Sequence, residues 1–462
     1  MQPDTCGLVY GSLGVAWAVS GNVQSVRCVN DSTKGDAWVD SHVGAARVLD
    51  VDAHQDLRGA LRYPLLFELG WSLFFAGSLY LGWNSLGILL LIVHLFLDGR
   101  AISRMVKTSL EDCPVAVNLK RVRIPLRYIF VTLGCAGLVS SLMAVEPGRA
   151  AAALVGMLLS MAFGLVFGLA YQVHQPGWFI SYFLPAVLGG AVHVAWALWQ
   201  AFQIGSFQGA RVATVSGPNY TGTMMLLVLI IGWSWFVSQR AYLRWLSLPY
   251  TFAAATALVF TYSRGSWLGG VAFALAALLP AWQRPVSRRY GQLVLVGFVL
   301  FSVLVVSVVP GAAERARSFL TLLDDGRVAI WQASWEMFLD HFWFGVGPAN
   351  FEHHWDTYNR GRFPEHMDFP HNTWLQVLTE TGIIGGVLFA LIIGRILLAV
   401  WRLRKTSDWP VWILASGVVA LLVRDLTDAA IFNINTSFLF WWMAGTVLAA
   451  EQTQQRERQT VS

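Results

Sequence analysis

Charged residues are scarce in this sequence and make up only 13% of its 462 positions. A soluble globular protein carries about 25%. This deficit, together with apolar runs of about 20 residues, excludes an ordinary soluble domain and indicates an integral membrane protein. The runs are continuously apolar, as in residues 293–309, and do not alternate with polar residues. Transmembrane helices are therefore favoured over the strands of a barrel.

Cysteine is also rare. The chain has four cysteines, Cys6, Cys28, Cys113 and Cys135. Their spacing forms no CxxC motif and is not typical of a disulfide framework. The basic segment that begins a signal peptide is missing as well, because the first basic residue is Arg27. We expect residues 1–62 to form a polar cytoplasmic extension.

The apolar runs predict about twelve transmembrane helices in an all-α, polytopic bundle. The predicted spans are 64–82, 84–97, 127–145, 150–171, 181–201, 217–237, 249–262, 266–282, 291–309, 374–400, 410–424 and 432–450. The chain then divides into the extension 1–62, spans one to nine in 63–309, a large loop 310–373, spans ten to twelve in 374–450, and a tail 451–462.

Basic residues collect in a few of the connections. These are 98–126, 238–248, 283–290, 401–409 and the tail 451–462. With twelve spans and both termini inside, all of them face the cytoplasm, as the positive-inside rule expects. The net charge of +5 therefore reflects the topology of the chain in its membrane and gives no reason to expect a nucleic-acid partner.

The loop 310–373 then lies on the side of the membrane opposite the cytoplasm. It is about 64 residues long, and structureless loops of more than about 15 residues are uncommon, so short helices are expected within it. Trp331, Trp335, Phe338 and Phe342 recur at helical spacing. We predict an amphipathic helix here, lying on the membrane surface or against the bundle.

Several arginines fall on the predicted outer side, where basic residues are depleted. They are Arg149, Arg211, Arg264, Arg327 and Arg424. Arg264 stands between two apolar segments, in TYSRGSWLGG. An arginine at membrane depth costs several kcal/mol (about 2.5–3.5 on insertion scales) unless it is paired or solvated, which indicates a functional site. A guanidinium also presents a planar set of donors that matches phosphate oxygens.

Each of these arginines also has a structural interpretation. Arg264 can pair with a carboxylate such as Asp425, Asp428 or Glu380. Arg211 can serve as an interfacial anchor, as can Arg149. Arg327 can neutralise Asp324 or Asp325, and Arg424 can form a structural charge cluster with Asp425 and Asp428.

His371 lies between Pro370 and Asn372, at the start of an apolar helix that Asn372 or Thr373 can cap. An exposed imidazole there can accept a proton from a hydroxyl, although a solvated loop histidine is the simpler interpretation. A loop acid is a better candidate to orient the ring than Glu380. Three further histidines, His353, His354 and His366, match no standard zinc spacing, so no metal or other cofactor is expected.

Three segments together resemble the O-antigen ligase and polymerase superfamily. They read SRGSWLG, GRVAIWQASWEMFLDHFWFGVGPANFE and PHNTWLQVLTETGIIGG. The resemblance covers about residues 205–400. It implies that Arg264 and Arg327 bind the diphosphate of the donor and that His371 acts on the acceptor. Arg211 matches more loosely, because the usual R..G.F..PN reads RVATVSGPN here.

The resemblance further implies an inverting, metal-independent glycosyltransferase of the inner membrane. It would move a saccharide from undecaprenyl diphosphate to an acceptor hydroxyl on the periplasmic side, with the lipid A core as acceptor in the ligase type. A polysaccharide polymerase and a protein O-oligosaccharyltransferase remain alternatives within the superfamily. A bicarbonate or small-anion transporter is the alternative of another class, although no internal repeat is evident.

Overall fold

The computed structural model describes ten stretches of the chain and a few isolated positions before residue 305. The stretches are 114–117, 122–174, 179–206, 209–213, 217–238, 243–279, 307–317, 326–406, 408–432 and 434–461. The predicted extension 1–62 lies outside them, as do the spans 64–82, 84–97 and 291–309 for the greater part.

Helices dominate these stretches. They are α1 (Leu126–Met143), α2 (Pro147–His174), α3 (Phe179–Gln203), α4 (Pro218–Ser238), α5 (Leu243–Phe260), α6 (Arg264–Leu278), α7 (Pro310–Arg317), α8 (Arg327–Asp340), α9 (Phe351–Asn359), α10 (Thr373–Leu403), α11 (Trp409–Arg424) and α12 (Ile434–Val461). A 3₁₀ turn, Ala430–Phe432, precedes α12. The predominantly helical character is confirmed.

A short antiparallel hairpin departs from the all-α prediction. It pairs β1 (Pro114–Val117) with β2 (Val122–Pro125), with Val115 opposite Ile124. Both strands are rich in β-branched residues, which favour extended backbone. On sequence alone these residues fall in the loop 98–126, because strands of four residues are too short to show a clear alternation of polar and apolar residues.

Four of the described helices are long and apolar enough to cross a membrane. They are Leu126–Met143, Pro147–Leu165, Pro218–Val237 and Thr373–Leu403. Three shorter apolar helices are Ser247–Phe260, Arg264–Leu278 and Trp409–Arg424. These helices indicate a membrane protein. The total of twelve spans and their orientation stay predictions.

Small residues allow the closest helix packing. A Cβ on Gly168 of α2 would lie 2.3 Å from the carbonyl oxygen of Trp442 in α12, and one on Gly445 would lie 2.6 Å from that of Leu165. Glycine at such positions lets two backbones approach directly, as is usual between membrane helices. Helix α4 lies deep in the same core, with Met224 to Leu229 all buried.

Helix α10 is broken at Gly382, whose φ of 66° and ψ of −168° are not helical. The segment 342–347 packs into the break. The amides of Val346 and Gly347 donate to the carbonyls of Thr379 and Glu380 at 2.8 and 3.0 Å, and the amide of Ile383 donates to the carbonyl of Phe342 at 2.8 Å. Backbone groups freed by the break are thus satisfied by the loop. We call this contact the loop–helix junction.

The large predicted loop contains α7, α8 and α9. Part of it has its own small core, formed by Ile330, Ala333, Met337, Val346, Phe351, Trp355 and Tyr358. Arg362 binds Glu336 of α8 through two hydrogen bonds of 2.8 Å. Of the aromatic residues assigned to one amphipathic face, Phe338 is buried, whereas Trp335 is 47% exposed. Helix α8 therefore has a second, uncovered apolar side.

Candidate functional site

His371 lies two residues before the first residue of α10. Its φ of 51° lies in the left-handed region, which is unusual for a residue other than glycine. The neighbouring chain fixes this conformation. The Asn372 side chain caps α10 by accepting hydrogen bonds from the amides of Trp374 and Leu375 at 2.9 and 3.1 Å. The amide of Thr373 is shared between the carbonyls of Asp425 and Asp428, each at 3.1 Å.

Asp428 orients the imidazole. The Nδ1 atom of His371 lies 3.2 Å from Oδ1 of Asp428, and the ring packs against Phe369 with a centroid distance of 4.3 Å. An ionised carboxylate can only accept a hydrogen bond, so the neutral ring carries its proton on Nδ1. The Nε2 atom is then the acceptor. Glu380 does not fill this role, because its carboxylate accepts from Gln376 at 3.0 Å.

Arg424 holds Asp428 from the other side. It is 2% exposed, and its Nη2 donates to Oδ2 of Asp428 at 2.8 Å while its Nη1 donates to Asp425 at 2.9 Å. Burial by itself raises the pKa of Asp428, but the positive charge of Arg424 and the hydrogen bond with His371 outweigh burial. The pKa of Asp428 is held below its usual range. Arg424, Asp425 and Asp428 form the charge cluster that the sequence suggested, and this cluster also positions His371.

A cleft of about 260 Å³ opens beside the histidine. Its lining includes Arg211, Asn219, His371, Arg424 and Asp428. The guanidinium of Arg211 donates to the side chain of Asn219 at 2.7 Å and to the carbonyl of Thr261 at 3.1 Å. One cleft thus contains a proton acceptor and a fixed cation.

Arg211 also belongs to a cluster of cations. The charges of Arg211, Arg315 and Arg327 all act on the guanidinium of Arg264. Burial, followed by the charges of Arg315 and Arg327, lowers the pKa of Arg211 to about 10, while Asp428 acts in the opposite direction. We call Arg211, Arg264, Arg315 and Arg327 the arginine cluster. Its members remain protonated at neutral pH and repel one another, which an anionic ligand would relieve.

Two members of the arginine cluster occupy unfavourable places for a cation. Arg264 is the first residue of α6 and is 3% exposed, and Arg327 is the first residue of α8. The N-terminal end of a helix carries partial positive charge and attracts anions. The Nη1 atom of Arg327 is also buried without a hydrogen-bond partner among the described residues. Both features favour a bound anion.

The predicted site residues therefore fall into two adjoining groups. His371 and Arg211 line the cleft, whereas Arg264 and Arg327 are not among its lining residues. These two join the site through Arg211 and the arginine cluster. The alternative partners of Arg327, Asp324 and Asp325, lie outside the described residues.

Two contributors were missed by the sequence reasoning. Arg315 lies in α7, and its Nε donates to the carbonyl of Tyr262 at 3.2 Å, two residues before Arg264. Nothing in PGAAERARSFL distinguishes it from Arg317. Asp428 was considered as a partner of Arg264 and as part of a charge cluster but not as the partner of His371, since that contact joins residues 57 positions apart.

The other arginine and the other histidines lie elsewhere. Arg149 forms an ion pair with Glu352, a more specific role than an interfacial anchor. Glu352, His366 and Asp368 bring potential metal ligands within 4.8 Å of one another. Because Glu352 already pairs with Arg149, this group does not point to a metal. The expectation of metal-independent chemistry stays a prediction.

Comparisons with known proteins match part of the segment that contains these residues. Residues 249–390 match the family model described as O-Antigen ligase, Wzy_C. The resemblance to the O-antigen ligase and polymerase superfamily is confirmed. The matched segment contains Arg264, Arg315, Arg327 and His371 but ends before Asp428.

The chain is also similar to the teichuronic acid biosynthesis protein TuaE of Bacillus subtilis (strain 168). It is 25% identical over 242 residues, which cover 48% of this chain and 47% of the relative. The chain thus matches about half the length of that protein.

Proposed function

We propose that this protein is an inverting, metal-independent glycosyltransferase of the bacterial inner membrane. It moves a saccharide from undecaprenyl diphosphate to an acceptor hydroxyl on the periplasmic side, in the manner of an O-antigen ligase with the lipid A core as acceptor. The observation that carries the proposal is the pairing of His371 with Asp428 on the cleft that Arg211 lines. The match to the O-antigen ligase family supports it.

The reaction needs a base and a stabilised leaving group. The Nε2 atom of His371 takes the proton from the acceptor hydroxyl, and the hydroxyl oxygen forms a bond to the anomeric carbon. The bond from that carbon to the diphosphate oxygen breaks, and the diphosphate leaves with the electron pair. Attack opposite the leaving group inverts the anomeric carbon. The imidazolium formed on His371 is stabilised by the carboxylate of Asp428.

The arginine cluster supplies the electrostatic part. Negative charge grows on the leaving diphosphate as its bond to the sugar breaks. Fixed guanidinium groups that are already oriented stabilise this charge with little reorganisation. Arg211 is held by Asn219 and by the carbonyl of Thr261, and Arg315 by that of Tyr262. The arginine cluster therefore binds the diphosphate, and Arg211 is the member that lines the cleft with His371.

A transfer assay tests this proposal. Purified protein is incubated with an undecaprenyl-diphosphate-linked glycan and with lipid A core, a second lipid-linked repeat, or a protein hydroxyl acceptor. Transfer to the core identifies a ligase, transfer to a second repeat a polymerase, and transfer to protein an oligosaccharyltransferase. Absence of transfer to all three contradicts the proposal. Activity that EDTA abolishes and Mg²⁺ or Mn²⁺ restores contradicts its metal-independent part.

A polysaccharide polymerase is the second candidate. The similar protein TuaE is a teichuronic acid biosynthesis protein, a role that is compatible with either candidate. Deleting the gene separates the two in the cell. Loss of all long chains from a complete core indicates the ligase, whereas a core that bears one repeat indicates the polymerase. Anion uptake that depends on the protein would favour the transporter.

A further inference from the structure

Helix α8 carries an apolar stripe that is half-buried at Trp331 and that the described residues leave exposed at Trp335 and Leu339. Trp331, Trp335 and Leu339 recur every fourth residue and therefore lie along one side of the helix. Trp335 is 47% and Leu339 52% exposed. The opposite side of the helix, with Ala333 and Met337, is buried in the small core of the loop. The stripe therefore takes no part in packing α8 against the small core of the loop.

The two ends of α8 differ in chemistry. At its N-terminal end stands Arg327, one turn before Trp331 and a member of the arginine cluster. Beyond its C-terminal end, Phe342 and Trp343 are 38% and 65% exposed, and their backbone forms the loop–helix junction with α10. The stripe therefore runs from a group of cations to a helix that is long and apolar enough to span the membrane.

We propose that this stripe binds the isoprenoid chain of the lipid-linked donor. Helix α8 has 14 residues and is about 21 Å long at about 1.5 Å per residue. A ligand with an anionic head and a long apolar tail fits a surface that is cationic at one end and apolar along the rest. The inference rests on the proposed function, because the diphosphate head is assigned to the arginine cluster.

Photo-crosslinking tests the occupant directly. The variant Trp335→p-benzoylphenylalanine is reconstituted with phospholipid and radiolabelled undecaprenyl diphosphate and then irradiated. Phe252→p-benzoylphenylalanine, at a position that is 57% exposed on α5, is the matched control for contact with bulk lipid. We expect a labelled adduct at position 335 that excess unlabelled undecaprenyl diphosphate removes, and phospholipid adducts at position 252. Phospholipid adducts alone at position 335 would mean that the stripe lies on the bilayer, and the proposal would be wrong.

Chain-length dependence gives a second, kinetic readout. For Trp335→Ala and Leu339→Ala we expect the KM for the undecaprenyl-linked donor to rise about tenfold, since each removes the burial of a large apolar side chain. The KM for a donor with a two-unit prenyl chain stays unchanged, as does kcat. Leu142→Ala, at a position that is 70% exposed on α1, leaves all values unchanged. An equal rise in KM for both donors, or no rise, contradicts the proposal.

The two readouts separate failure of this inference from failure of the proposed function. Crosslinking requires binding but no turnover. An adduct at position 335 in a protein that transfers no glycan preserves the lipid site and rejects the glycosyltransferase. Transfer without an adduct, and without dependence on chain length, preserves the enzyme and rejects the lipid site.

Discussion

At the residue scale, one imidazole nitrogen carries the proposed chemistry. The variant His371→Ala removes the base and should lower kcat by about 10²–10⁴-fold, the usual contribution of general base catalysis. The KM for the donor changes little, because the arginine cluster is intact. Initial rates with a lipid-linked donor measure this. His366→Ala is the control, since that exposed side chain lies near Asp356 and away from the cleft; an equal loss in both variants would contradict the role of His371.

The carboxylate of Asp428 should stay ionised throughout the assay range. Its pKa is held below the usual range, with the charge of Arg424 and the hydrogen bond with His371 outweighing burial. A depressed pKa means that its stabilising contribution is complete above the unfolded value of about 3.9 and is lost only in stronger acid. Asp428→Asn should therefore lower kcat by about 10²-fold at every pH from about 6 to 9. A variant whose rate returns to that of the wild type at high pH would refute a fixed orienting charge.

Arg315 and Arg317 provide a matched pair on α7. Arg315 acts electrostatically on Arg211 and Arg264, whereas Arg317 is exposed. Arg315→Ala should lower kcat/KM for the donor by about 10²-fold, as expected for one lost donor to a developing charge. Arg315→Lys should keep only part of the wild-type kcat/KM, because lysine lacks the planar set of donors of a guanidinium. Arg317→Ala should have no effect; similar losses in the two alanine variants would show that α7 acts through general charge.

At the element scale, the break in α10 depends on glycine. A Cβ on Gly382 would lie 2.3 Å from the carbonyl carbon of Trp343, and the φ of 66° is already unfavourable for an L-residue. Gly382→Ala should destabilise the protein by at least about 1–2 kcal/mol. The effect is measured as a lower Tm in detergent, with unfolding monitored by tryptophan fluorescence.

Gly394 is the control on the same helix, because a Cβ there meets nothing within 4 Å. Gly394→Ala should be neutral or stabilising by about 0.5–1 kcal/mol. If both alanine variants have the same Tm, the junction does not restrict position 382.

Elements were predictable where apolar runs were long. Helices α1 to α4 and α10 lie where the hydropathy of the sequence places continuous apolar segments. The break at Gly382 was not predictable, because TGIIGG has several glycines and only the contact with 342–347 selects one of them. The second apolar side of α8 was hidden for a similar reason. Helical spacing reveals apolar positions and does not reveal which of them a partner covers.

At the scale of the whole molecule, the orientation in the membrane is open to test. With both termini in the cytoplasm, position 361 faces outward and position 405 inward. In a variant without the native cysteines, a membrane-impermeant thiol reagent should label Gly361→Cys in intact cells. It should label Lys405→Cys only after permeabilisation. A Cβ at Gly361 meets nothing within 4 Å, and the φ of 74° at this position costs a non-glycine residue about 1–2 kcal/mol. The reverse labelling pattern would overturn the topology and place the proposed site on the cytoplasmic side.

The site was predictable in its parts and not in its assembly. Arg264, Arg327 and His371 stand in local motifs, so a single sequence indicates them. The partner of His371 comes from the connection between α11 and α12, and Arg315 comes from a helix with no distinguishing motif. Contacts between distant segments of this kind depend on tertiary packing, which short motifs do not encode.

The loop–helix junction limits how this protein can be recombined with its relatives. Backbone hydrogen bonds join 342–347 to α10 around Gly382, and Ser140 of α1 adds a bond of 2.6 Å to the carbonyl of Glu380. A chimaera that takes only the loop 310–373 from a relative would pack that relative's backbone at 342–347 against the native break at Gly382. Grafts intended to change the acceptor should therefore exchange 326–386 as one block, with both sides of the kink from the same parent.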